Sequence, residues 1–191
     1  VVELMGHKAG WLTLYAGVAG GADVILIPEI PYRIDTVIEA IEKRSAQGKH
    51  FSILAVAEGA VSEKEAGMKK KDFKVLRQEM PYPSVSYRIA AQVQEMTGME
   101  TRVTVPGHIQ RGGNPSPYDR VLSTKFGTYA ARMIAEEQYG CMVALQEGEL
   151  TSVPLHEVAG QLKLVETDHQ LIRAGRMIGI SFGDNDDLSL D

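Results

Sequence analysis

The chain has 191 residues, and 44 % of them are hydrophobic. That is enough for one sizeable core, so one globular unit is expected rather than two independent domains. A formal net charge of −5 and a pI near 5.6 exclude the broad basic face that general nucleic-acid or membrane-surface binding needs. The single cysteine, Cys141 in the apolar run CMVAL, excludes an internal disulfide or a thiolate metal cluster and is read as an inert core residue in a reducing, cytoplasmic setting. No apolar run approaches the length of a membrane span.

In chain order, VVELMG is a short strand ending at Gly6, without a lead-in, so the chain is expected to be the carboxyl-terminal part of a longer polypeptide. Trp11, Leu14, Tyr15 and Val18 then follow at helical spacing. DVILIPE is nearly all apolar, the habit of a strand covered on both faces in a parallel sheet. Ile34, Val37, Ile38 and Ile41 mark a second helix stopped by Gly48, and Phe51–Ala60 holds a third strand ending at Glu58. Residues 61–83 are charged and Lys-rich, and read as a solvated excursion with about one helical turn.

Ser84 opens a helix carrying Val85, Ile89, Val93 and Met96, stopped by Gly98, and ETRVTV is the next strand. After a polar loop with paired glycines, Leu122, Phe126, Tyr129 and Met133 trace a helix, followed by the strand CMVALQ. Asp119 suits that helix's amino-terminal dipole. A short helix is expected within Pro154–Leu164, and the acidic tail GDNDDLSLD is expected to fray. Strands alternating with helices predict an α/β fold with a mostly parallel sheet flanked by helices. In such sheets ligands sit beyond the carboxyl ends of the strands. The residues of interest are therefore Met5, Gly6 and His7; Pro28 and Glu29; Glu58 and Gly59; and Gly107 to Arg111.

Arg102, His108 and Arg111 gather two guanidinium groups and an imidazole near one strand end, a set suited to gripping a phosphate. Gly112 and Gly113 let backbone approach a ligand or turn with positive φ, and Pro115 and Pro117 stiffen the exit. Glu58 ends an otherwise apolar strand, so its carboxylate is either paired with Arg102 or Arg111 or free to accept hydrogen bonds from a ligand's hydroxyls. Gly6 and His7 lie between a strand and a helix, where backbone N–H groups favour an anion, yet MGHKAG matches neither the dinucleotide nor the triphosphatase loop. Gly10 and Gly17 are expected to let the first helix pack closely. His50, His156 and His169 lack the spacing of a metal site.

The segments VVELMGHKAGWLTLYAGVAGGADVILIPEIPY, ILAVAEGA and ETRVTVPGHIQRGGNPSPYDRVLSTKFGTYA, in that order, closely resemble the carboxyl-terminal, substrate-binding half of 6-phosphofructokinases. The GHIQRGG block carries most of the specificity. The resemblance implies phosphoryl transfer from ATP or pyrophosphate, with Mg2+, to the 1-hydroxyl of fructose 6-phosphate. It implies that Arg102, His108 and Arg111 hold the sugar phosphate, that Ile109 and Gln110 of the same block also bind the substrate, and that Glu58 and the Met5–Gly6–His7 turn contact the sugar. It further implies a homo-oligomer, dimer or tetramer, in which Arg102 reaches a neighbouring subunit's site.

The family usually has MGR where this chain has Met5–Gly6–His7, and a histidine would neutralise the transferring phosphoryl only when protonated. The donor-binding glycine loops and the catalytic base belong to an amino-terminal half not present here, so this chain alone is expected to be inactive and to lack the Mg2+ ligands. Bacterial relatives have an effector site to which Gly21, Asp23 and Lys49 would correspond, whereas Gln47 departs from the lysine found there. The alternatives are a stand-alone sugar-phosphate-binding module and a nucleotide-binding domain using the Gly6 turn.

Overall fold

The structure is a computed structural model that describes residues 1–185. It divides into two compact units, Val1–Gln110 with Lys163–Asp191, and Arg111–Leu162. The single unit expected from length is therefore replaced by two, because the last strands pair with each other and not with the parallel sheet.

In the first unit β1 (Val2–Leu4), β3 (Leu54–Ala57) and β2 (Val24–Leu26) form a parallel sheet in the order β1-β3-β2. Isolated parallel bridges extend it on both sides, Val2 with Thr104 and Val24 with Ser181. The segment ETRVTV thus contributes one bridging residue and not a strand: Thr104 exchanges hydrogen bonds with Glu3 N–H and Val1 C=O before Pro106 turns the chain away.

Alternation along the sheet builds two cores. Val24, Leu26, Leu54 and Val56 face Val37, Ile38 and Ile41 of α2 (Ile34–Ala46) and Val85, Ile89 and Val93 of α5 (Val85–Thr97). Ile25, Ile27 and Ala55 face the other way, onto Leu14 of α1 (Trp11–Ala19) and Ile172 of α8 (Gln170–Met177). Both faces of the sheet are covered, as the continuous apolar runs predict. Gly17 allows the close approach of α1: a Cβ there would lie 2.7 Å from Ile25 Cδ1. A buried carboxylate ties α5 to the sheet, since Glu3 accepts from Ser84 Oγ and Ser86 N–H at the helix start.

The excursion of residues 61–83 contains two helices, α3 (Glu63–Ala66) and α4 (Lys70–Glu79). Ser62 and Glu65 form a reciprocal capping box at α3. No residue of α4 is buried, and its run of charged residues masks the helical spacing of Phe73 and Leu76. Charge holds it: Arg77 donates to Ala60 C=O at 2.6 Å and pairs with Glu65 at 3.1 Å. At the other end of the unit, Gly183–Asn185 is ordered against the fold, correcting the expected fraying. Arg33 N–H donates to Gly183 C=O and Arg176 pairs with Asp184 at 2.6 Å. The rest of the acidic tail lies outside the described residues.

The second unit holds α6 (Pro117–Ala135), the antiparallel hairpin of β4 (Cys141–Gln146) and β5 (Glu149–Pro154), and the short α7 (Leu155–Val158). Ser116 and Asp119 form a capping box with Pro117 at the first helical position, and the Ser116 hydrogen bonds lower the Asp119 pKa. Glu147 and Gly148, both at positive φ, make the two-residue turn between strands. Cys141 sits half-buried at the start of this hairpin and not in the core.

Candidate functional site

The carboxyl end of β1 runs into a turn, Met5–Gly6–His7, whose backbone is unusual at two successive residues. Gly6 has φ +149° and His7 φ +53°, a left-handed conformation uncommon for a residue with a Cβ. Its neighbour is the end of β3, where Glu58 N–H donates to Leu4 C=O at 2.9 Å. Gly59 is required there, because a Cβ would stand 1.8 Å from His7 C=O.

Three consecutive N–H groups of the turn are taken by side chains. Glu58 Oε1 accepts from Gly6 at 3.2 Å and from His7 at 2.7 Å. Met5 N–H donates to Gln110 Oε1 at 3.1 Å. Gln110 belongs to the 3-10 turn Gly107–Arg111, and its Nε2 donates back to Gly107 C=O at 3.2 Å. The structure therefore brings together Met5, Gly6, His7, Glu58 and Gln110. His108 and Ile109 project from the same 3-10 turn, and both are exposed.

The anion that the Gly6 turn invites is thus the protein's own Glu58. The expected alternatives for that carboxylate, Arg102 or Arg111, give way to main-chain donors, and Arg102 pairs instead with Glu100 at 3.0 Å on the surface. A parallel case lies at the next strand end. Glu29 accepts from Gly10 N–H, the residue before α1, and from Val165 N–H, so one donor at the α1 start is also answered from within.

Arg111, the last residue of the 3-10 turn, is exposed and opens the second unit. Among the effector-site candidates, Asp23 pairs with Arg44 at 2.9 Å and accepts from Ile53 N–H at 2.8 Å. Gly21, at φ +68°, and Lys49 are exposed. A cavity of about 610 Å3 lies beside Tyr32, Met68 and Leu76, and one of about 550 Å3 beside Asp168, Arg173 and Arg176 is lined at one side by Glu29. Among the described residues no three His, Cys, Asp or Glu side chains converge as a metal cage.

The family model for phosphofructokinase matches residues 1–134. The chain belongs to the phosphofructokinase family. The ATP-dependent 6-phosphofructokinase of Spirochaeta thermophila is 54 % identical over 184 residues, which are 96 % of this chain and 50 % of that protein. The chain spans about half the length of the curated relatives it matches. A crystal structure of Pichia pastoris phosphofructokinase in the T-state superposes with a TM-score of 0.62 at 34 % identity, over 82 % of this chain and 17 % of that one. A pyrophosphate-dependent phosphofructokinase from Marinobacter aquaeolei shares the fold, with a TM-score of 0.69 at 21 % identity, over 94 % of this chain and 47 % of that one.

The sequence names Met5, Gly6, His7, Glu58 and Gln110 as candidates, but not the bonds that the structure forms among them. Gln110, expected as a substrate contact, bonds instead to the main chain of Met5, and the donors to Glu58 are main-chain groups that leave no mark in the sequence. The buried cluster at Glu65 was also missed. There Arg88 donates to both carboxylate oxygens and Arg77 pairs beside it, under Tyr32. Burial pushes the Glu65 carboxyl up, but the Arg88 and Ser62 hydrogen bonds and the Arg77 charge outweigh it and hold its pKa at about 2.

Proposed function

We propose that this chain supplies the acceptor side of a phosphofructokinase: it binds fructose 6-phosphate and presents the 1-hydroxyl to a phosphoryl donor, ATP or pyrophosphate. The observation that carries the reading is the Met5–Gly6–His7 turn, clasped between Glu58 and the 3-10 turn that bears His108, in a chain of the phosphofructokinase family. The clasp supports a rigid floor at the strand ends, where ligands of parallel sheets bind. In this reading His108, Arg111 and Arg102 grip the 6-phosphate by charge-assisted hydrogen bonds. Glu58 uses Oε1 on the turn and offers Oε2 to a sugar hydroxyl. His7 stands towards the transferring phosphoryl group.

In this reading the donor, its Mg2+ and the catalytic base would be held by residues of the remaining half of the relatives' length, which this chain does not span. The chain alone would then bind sugar phosphate weakly and turn over nothing. We place the complete enzyme in the cytoplasm, in glycolysis, as a homo-oligomer in which Arg102 completes a neighbouring subunit's site. Its surface pairing with Glu100 leaves the arginine free to be recruited at little cost. Calorimetric titration of the complete polypeptide with fructose 6-phosphate tests the reading. Arg111→Ala and His108→Ala are expected to weaken binding about tenfold or more each, and unchanged affinity in both would refute the assignment.

A further inference from the structure

The outer edge of β1 carries N–H groups at alternate residues. Glu3 N–H donates to Thr104 C=O at 2.9 Å, and the next N–H on that edge is that of Met5. A continuing strand would answer it with main chain, but Pro106 has already turned the chain into the 3-10 segment. The Gln110 side chain takes the vacated place, with Oε1 on Met5 N–H. Its Nε2 donates to Gly107 C=O, which fixes the amide's orientation and its distance from its own turn.

We infer that Gln110 is a positioning residue of the acceptor site: through the main chain of Met5 it sets the spacing between the Met5–His7 turn and the turn bearing His108. It acts without touching the sugar phosphate. This rests on the reading that those two turns hold fructose 6-phosphate. The turn is then anchored on both sides, by Gln110 at Met5 and by Glu58 at Gly6 and His7. Loss of the Gln110 bond frees one side only, so the sheet and core remain while the turn loosens.

The test combines hydrogen exchange with kinetics on the complete polypeptide. In Gln110→Met, exchange of Met5–Lys8 in the substrate-free protein is expected to quicken about threefold to tenfold, the range of one net hydrogen bond, with β3 unchanged. The fructose 6-phosphate KM should rise by a similar factor while the donor KM stays constant. Gln110→Glu, which keeps the acceptor oxygen for Met5 N–H but loses the donor to Gly107 C=O, should restore part of the protection of Met5–Lys8. If Gln110→Met does not fold, Gln110→Asn, one methylene too short, gives the same reading. A raised KM with unaltered exchange would make Gln110 a direct substrate contact, and faster exchange with an unaltered KM would make it structural only; either result overturns the inference. Failure of the wild-type protein to bind fructose 6-phosphate would instead sink the proposed function.

Discussion

Glu58 Oε1 accepts the main-chain N–H of His7 at 2.7 Å, so the carboxylate at the end of β3 is the local acceptor for the turn at the end of β1. The acceptor is an oxygen rather than a charge, and this separates two substitutions. Glu58→Gln keeps an oxygen for the turn, while Glu58→Ala removes it and the hydroxyl acceptor together. The fructose 6-phosphate KM of the complete polypeptide should rise about threefold in the first and at least about tenfold in the second. Equal losses in steady-state kinetics would mean that the negative charge matters and the turn does not.

Close packing makes two glycines opposite in their response to the same substitution. A Cβ at Gly10 would lie 2.4 Å from Ile27 Cβ, which is fully buried and cannot retreat. Gly10→Ala should therefore cost about 3 kcal/mol, the upper part of the overpacking range. A Cβ at Gly127, within α6, meets nothing within 4 Å, and Gly127→Ala should stabilise by about 0.5–1 kcal/mol. Urea midpoints of the two variants check the pair.

The parallel sheet and its covering helices were legible because β2 and β3 are apolar on both faces and α1, α2 and α5 carry stripes at helical spacing. The exceptions share a cause: their stabilising contacts lie elsewhere in the chain. α4 is held by Arg77 and not by apolar burial, so its sequence resembles a solvated loop. ETRVTV alternates like a strand, but its register lets only Thr104 bridge to β1. CMVALQ was read as a strand, yet its antiparallel partner β5 follows a Glu147–Gly148 turn that weak apolar alternation concealed. At the candidate site, strand ends and the family resemblance supplied the candidate residues, while the linkage of Met5, Gly6 and His7 to Gln110 and Glu58 runs through main-chain donors that every residue possesses.

The Glu65 cluster sets an acid limit on stability. Its folded pKa, about 2, lies below the model value of 4.5, so its contribution is fully present above about pH 4.5 and is lost as pH falls towards 2. The shift corresponds to about 3 kcal/mol as an order of magnitude. Glu65→Gln leaves Arg77 and Arg88 without their carboxylate, and should destabilise by about 3–5 kcal/mol at neutral pH. Between pH 5 and 3 the variant should lose less stability than the wild type. Parallel stability curves for the two proteins over that interval would contradict this role.

Arg102 should behave as a functional residue with little structural weight. Its only described ion pair, with Glu100, is highly exposed, and such pairs contribute about 0–1 kcal/mol. Arg102→Ala is expected to leave the melting temperature nearly unchanged and to raise the fructose 6-phosphate KM about tenfold in the oligomeric enzyme. Mixing Arg102→Ala with Glu58→Ala subunits should regain part of the activity if the arginine serves a neighbour's site, and no regain would place it in its own subunit.

The most direct measurement is phosphorus NMR of the complete polypeptide incubated with fructose 6-phosphate and Mg2+, with ATP and with pyrophosphate in separate samples. The account predicts fructose 1,6-bisphosphate with at least one donor, and its formation about tenfold or more slower when Arg111→Ala is assayed at low sugar phosphate. Absence of the bisphosphate with both donors, or phosphorylation at a position other than the 1-hydroxyl, would contradict it.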